Sequence, residues 1–130
     1  MQQRIANIAL VVKNYDEAID FYVRKLNFEL VEDTPLTPTK RWVRVKPRGD
    51  QQCCLLLAQA GTERQKTAIG NQSGGRVFLF LHTDDFDRDF KNLRAHDIKI
   101  VRGPVEEPYG KVAVFEDLYG NLWDLIEPTT

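Results

Sequence analysis

The strongest constraint in this sequence is internal repetition: two stretches about 70 residues apart present the same succession of signals. In the first, residues 5–12 are apolar and β-branched almost throughout, as in a strand buried on both faces. Asn14 follows as a helix cap, with Glu17 three residues later as in a capping box. Ala18, Ile19, Tyr22, Val23 and Leu26 recur at helical spacing, and Asn27 ends the helix. Residues 28–31 open a second strand. Residues 34–39 read as a loop, because Pro35 and Pro38 oppose regular pairing. Residues 41–46 alternate as a third strand, 47–50 form a turn, and 53–59 form a fourth strand.

The pattern then restarts. Residues 77–83 repeat the buried strand, Asp84 is placed as the cap with Asp87 three residues on, and Phe86, Phe90 and Leu93 make the apolar stripe. Asp97 ends this helix, 98–101 is a strand, and Gly103-Pro104 opens a loop. Residues 112–115 form a strand, 117–121 a turn and 122–126 the last strand. Asn14 and Asp84 stand 70 apart, as do Phe28 and Ile98, while Ile19 and Phe90 stand 71 apart, as do Tyr22 and Leu93. A polar linker, 61–75, separates the halves, with a short helix expected over 63–69 and Gly70, Gly74 and Gly75 making the remainder loop-like. A repeated unit of this kind cannot usually close a core alone. The expected fold is α+β, two βαβββ modules in one domain over 1–130. Module one spans about 4–60 and module two about 76–128.

Composition narrows the function classes. Eighteen basic residues against 19 acidic ones, a net charge of −1, leave no excess for binding nucleic acid. No apolar run approaches the roughly 20 residues of a membrane-spanning helix. Met1-Gln2-Gln3-Arg4 leads straight into the first strand, so no signal peptide is expected and the cytoplasm is the expected compartment. Cys53 and Cys54 are adjacent and would point to opposite faces of a strand, so two reduced thiols serving as small hydrophobes are expected rather than a disulfide.

Two motifs complete the picture: IALVVKNYDEAIDFYVRKLNFELV over 8–31 and VFEDLYGNLWDLIE over 114–127. With the repeat, they make the chain resemble the glyoxalase I, bleomycin-resistance and extradiol-dioxygenase group, the vicinal oxygen chelate superfamily, over nearly its whole length. The resemblance implies that each module's four strands form a curved, incomplete barrel, that the modules enclose a cavity with helices on the outer face, and that two chains pair as a homodimer. In the metal-dependent members, four strands each send a His or Glu to a divalent ion whose open positions take vicinal oxygens of a substrate. Carried over one by one, Asn7 stands directly before IALVV, where a His is usual. The fourth strand offers Cys53, Cys54 or Leu56. The fifth offers Phe78, or Val77 after a slip of one residue. Asp124 stands in the last strand, a shorter carboxylate than the usual Glu. Only Asp124 is a strong ligand type, so no metal is expected in the usual constellation and no cofactor is expected.

Strand alternation places Phe78, Phe80 and His82 on one face. His82, Asp124 and Cys54 then offer a displaced divalent-metal site, or His82 and Asp124 a proton-transfer pair; a hydrogen-bonded histidine at a strand end is the plainer reading. Trp42 and Arg44 share a face suited to an anionic aromatic ligand, or form an exposed edge with a half-buried Trp. Glu116 either faces the cavity or pairs with a neighbouring Arg. Tyr109 sits on a loop able to cover the cavity mouth or in a simple turn, and Asn71-Gln72 is lid-like. Asp117 is expected to organise its turn, Trp123 to serve core or interface, and His96 to sit at a helix C-terminus. The leading expectation is a metal-free small-molecule-binding protein of the bleomycin-resistance type. Its cavity would be lined by Asn7, Ala9, Trp42, Arg44, Leu56, Phe78, Phe80, His82, Tyr109, Glu116 and Asp124. The alternative is an enzyme, a lyase, isomerase or dioxygenase-like protein using the displaced metal or the His82/Asp124 pair. A purely structural partner domain suits a cavity-forming shape less well.

Overall fold

The computed structural model describes residues 1–49 and 53–129. They fall into two compact units, Met1–Ile69 and Gly70–Thr130. Each holds an open four-stranded mixed sheet with a helix between its first two strands.

In the first unit, β1 (Asn7–Val12) leads into α1 (Tyr15–Ile19), which continues directly as a π-helix over Asp20–Lys25. Asn14 caps α1, its side-chain oxygen accepting from the Glu17 N–H at 3.0 Å. Such a cap contributes about 1 kcal/mol. The π turn, marked by the Leu26 N–H donating to the Phe21 carbonyl, widens the spacing. The inward face is therefore Tyr15, Ala18, Phe21, Tyr22 and Leu26, while Ile19 and Val23, expected in the stripe, are half-buried. Asn27 ends the helix at φ 65°, a left-handed conformation that Asn tolerates.

β2 (Glu29–Pro35), β3 (Arg41–Lys46) and β4 (Cys54–Gln59) complete a sheet ordered β1-β4-β3-β2, with β1 parallel to β4 and the other neighbours antiparallel. The expected loop at 34–39 begins later than the sequence suggests. Thr34 and Pro35 pair with Trp42 and Arg41, because β2 is an edge strand where proline costs no ladder bond. The expected turn at 47–50 runs into Asp50, which lies outside the described residues. β1 is not buried on both faces. Leu10 and Val12 are buried together with Val43, Val45, Leu55 and Leu57, whereas Ala9 is exposed and Val11 half-buried. α1 packs against β3 and β4. Burying each of these side chains contributes about 1.5–3 kcal/mol, so this face is the core. α2 (Glu63–Ala68) follows, capped by Thr62 and packed against β1.

The second unit repeats the plan with β5 (Val77–His82), α3 (Phe86–Ala95), β6 (Ile100–Glu107), β7 (Gly110–Glu116) and β8 (Leu122–Pro128). The order is β5-β8-β7-β6, again with the first and last strands parallel. The cap of α3 is Asp85, accepting from the Arg88 N–H at 3.1 Å, and not Asp84, whose carboxylate meets the Arg88 side chain. Asp97 closes the helix at φ 55°, in the same role as Asn27. Gly103-Pro104 does not open a loop. Both lie inside β6, an edge strand that absorbs them with two register shifts. The core face carries Ala113, Phe115, Trp123 and Leu125, with Phe86 and Leu93 also buried in α3. The Trp123 and Phe115 rings stack at 6.0 Å, so Trp123 is a core residue.

Candidate functional site

Each sheet buries one face and leaves the other partly open, and the open faces carry the chemistry. In the first unit the ladder aligns Asn7 with Cys54, Ala9 with Leu56, and Leu56 with Arg44. Arg44 in turn aligns with Glu32, and Trp42 with Thr34. This settles which thiol stands beside Asn7: it is Cys54, which is buried. Both cysteines are free thiols, as expected. Arg44 is held by Glu32 (Nε–Oε1 3.1 Å) and donates to Cys54 Sγ at 3.5 Å, so its charge is already engaged within this face. Trp42 shares the face and is 36% exposed. The buried Asn7 Oδ1 has no hydrogen-bond partner among the described residues.

In the second unit Asp124 sits mid-sheet. Phe80 flanks it on β5, Val114 on β7, and Arg102 lies beyond Val114 on β6. His82 aligns with Ile126, one strand repeat further along. The expected common face of Phe78, Phe80 and His82 holds for the last two. Phe78 falls at a register shift between Val77 and Leu79, where two residues no longer alternate simply. The same shift aligns Val77 with Leu122, so Val77 takes the ladder position next to Asp124's face. Phe80 is 62% exposed and His82 is exposed. Asp124 Oδ1 is buried with no hydrogen-bond partner among the described residues. Burial pushes its carboxyl above the usual range, while the positive charges of Arg102 and His82 pull the other way. Arg102 bonds Glu107 at 2.8 Å, which holds its guanidinium more firmly protonated.

The remaining candidates separate clearly. Glu116 pairs with Lys99 at 3.0 Å rather than with an arginine. Tyr109 lies in the two-residue turn between β6 and β7, 56% exposed. Asp117 organises its turn as expected, accepting from the backbone of Tyr119, Gly120 and Asn121 and from Asn121 Nδ2. The Asn121 side-chain oxygen then takes the Gln72 N–H at 3.1 Å. Asn71-Gln72 is therefore tied to the last hairpin, not free as a lid would be. His96 caps the end of α3, its Nδ1 3.0 Å from the Asn92 carbonyl. Sequence reasoning missed Arg102 and Val114 beside Asp124, since only the shifted register of β6 brings Arg102 onto that face.

The donor set does not fit the metal that the resemblance brings with it. The ladder offers a carboxamide and a thiol in one unit, and a valine or phenylalanine and one carboxylate in the other. Among the described residues, no group of three or more His, Cys, Asp or Glu side chains converges as a metal needs. What the open faces do provide is apolar surface interrupted by a few polar groups, the usual makeup of a small-molecule site.

The family described as Glyoxalase/Bleomycin resistance protein/Dioxygenase superfamily matches residues 4–125. An uncharacterized protein of Shewanella frigidimarina (strain NCIMB 400) is 60% identical over 128 residues, 98% of this chain and 95% of its relative. The crystal structure of UcmS2 is similar at a TM-score of 0.84 and 27% identity, covering 98% of this chain and 99% of that one. TnmS3, an antibiotic binding protein from Streptomyces sp. CB03234, is similar at a TM-score of 0.78 and 29% identity, with 98% of each chain covered.

Proposed function

Because the chain belongs to the glyoxalase, bleomycin resistance protein and dioxygenase superfamily, we propose that it is a small-molecule-binding protein of the bleomycin-resistance kind, acting without the metal of the family's catalysts. The observation that carries this reading is the replacement of ligand types by Asn7, Cys54 and Val77 or Phe78, with Asp124 alone retained. Similarity to an antibiotic binding protein supports it. The open face of the second unit offers a ligand Phe80 as apolar surface and Asp124 as a polar anchor; the open face of the first unit, taken by itself, offers Leu56 and Trp42 with Asn7. The protein works as a cytoplasmic homodimer, a state that light scattering on the purified chain measures directly.

Elemental analysis for Ni, Zn, Mn and Fe after purification without added metal tests the central claim. Substoichiometric metal is expected. Near-stoichiometric metal that Asp124→Ala abolishes would overturn it. The proton-transfer alternative needs His82 and Asp124 to meet, and no hydrogen bond joins them among the described residues. His82 lies roughly 7 Å further along the strand direction. An NMR titration of His82 that moves when a cavity ligand binds would favour that alternative.

A further inference from the structure

We infer that Asp124, Phe80 and Val114 form a subsite for a flat apolar ring bearing a neutral hydroxyl or N–H donor, with the donor directed to Asp124 Oδ1. The inference rests on the ligand-binding reading above and deepens it by naming the ligand chemistry. Asp124 Oδ1 is buried without a partner among the described residues, and a buried acceptor in that state is a cost to the fold until a donor reaches it. Its two ladder neighbours are apolar. Phe80, on the edge strand β5, leaves most of its ring uncovered, and Val114 lies on the other side. A planar ring set on Phe80 gains by stacking, and it would bring a substituent across to the adjacent carboxylate.

The surroundings select among donors. Asp124 stands between the apolar Phe80 and Val114, and the guanidinium of Arg102, which aligns with Val114, is already paired with Glu107 at 2.8 Å. Bringing an ammonium to an oxygen so placed costs the desolvation of a full charge, whereas a hydroxyl or amide N–H loses far less on leaving water. The ligand class is a phenol or an N–H-bearing aromatic rather than a cationic amine.

The test uses matched probes on the full chain: 1-naphthol, 1-methoxynaphthalene, which lacks only the donor, and 1-naphthylmethylammonium, read by calorimetry and by amide shifts in NMR. The expected result is 1-naphthol binding about tenfold or more tighter than either of the others, with shifts at Phe80 and Asp124. Asp124→Leu is expected to bring the naphthol-to-methoxynaphthalene ratio to near one. Asp124→Asn, which keeps an oxygen acceptor, preserves part of the ratio and serves if the leucine variant does not fold. Phe80→Ala weakens both neutral probes alike. Equal affinity of the two neutral probes for the native chain, or a ratio that survives Asp124→Leu, overturns this inference and leaves the ligand-binding reading standing. Absence of binding by all three probes overturns both.

Discussion

Replacing Asp117 by Ala removes one carboxylate from the turn that launches β8, the strand carrying Asp124. Asp117 Oδ1 accepts N–H groups of Tyr119 at 3.0 Å, Gly120 at 3.1 Å and Asn121 at 2.9 Å, and Oδ2 accepts Asn121 Nδ2 at 2.9 Å. Tyr119 and Gly120 are half-exposed, so water replaces part of what they lose. Asn121 is only 3% exposed, and the substitution strands two of its donors. At about 1–3 kcal/mol for each buried donor left unmet, the loss is about 2–6 kcal/mol. For a chain of 130 residues that corresponds to a fall in Tm of roughly 7–22 °C. Asp117→Asn keeps the oxygen that serves the three backbone donors and opposes one amide to another, so it costs about 1 kcal/mol. Urea unfolding followed by circular dichroism and by tryptophan fluorescence measures both variants. A loss below about 1 kcal/mol for Asp117→Ala, or equal losses for the two variants, would refute the claim that this carboxylate holds the hairpin.

Three further outcomes follow from the same structure. Gly70→Ala is expected to cost more than Gly74→Ala in the same unfolding assay. Both glycines have positive φ, 73° and 67°, but a Cβ at Gly70 would stand 2.1 Å from the Tyr119 carbonyl oxygen, while nothing lies within 4 Å at Gly74. Asn14→Ala is expected to lower stability by about 1 kcal/mol through loss of the α1 cap; no change in the urea midpoint would contradict the capping role. Asp124 gives a pH signature. Its carboxyl is held above the ordinary value of 3.8 by burial, so its neutral form favours the folded state below that value, and this contribution is lost as pH rises through the folded-state pKa. Asp124→Asn should therefore be more stable than the native chain at neutral pH, with the difference shrinking on acidification. A difference that grows on acidification would reverse the sign and exclude burial as the dominant influence on this group.

Much of the fold was legible from local chemistry. Asn14 as cap, Asn27 and Asp97 as helix stops, and the helix after residue 62 all depend on a few consecutive residues, and the structure places them as read. The misreadings share one cause. Pro35 and Gly103-Pro104 read locally as loop signals, yet both lie in edge strands. Whether a proline interrupts a ladder depends on whether a neighbour would have bonded there, and that neighbour is distant in sequence. The pairing of Phe78 with Phe80 and His82 is interrupted for a related reason: a register shift lies between Val77 and Leu79, and a strict period of two does not survive a bulge. The candidate site is legible to the same depth. Asn7, Phe80, His82 and Asp124 are named as candidates by motif and alternation. The choice of Cys54 over Cys53 or Leu56, and the presence of Arg102 near Asp124, needed the register.

The sequence by itself determined the repeated strand and helix order, the caps that start and stop the helices, and the scarcity of metal-ligating side chains at the family's positions, because each is written in residue type and spacing. Only the tertiary structure decided which residues stand side by side. The folded sheet brought the Arg44 guanidinium within reach of Cys54 Sγ, and its register put an exposed Phe80 next to a carboxylate whose Oδ1 has no hydrogen-bond partner among the described residues. Cross-strand alignment and burial arise from many distant contacts at once, and the setting of that oxygen, a property of the folded sheet alone, is what the proposed ligand chemistry starts from.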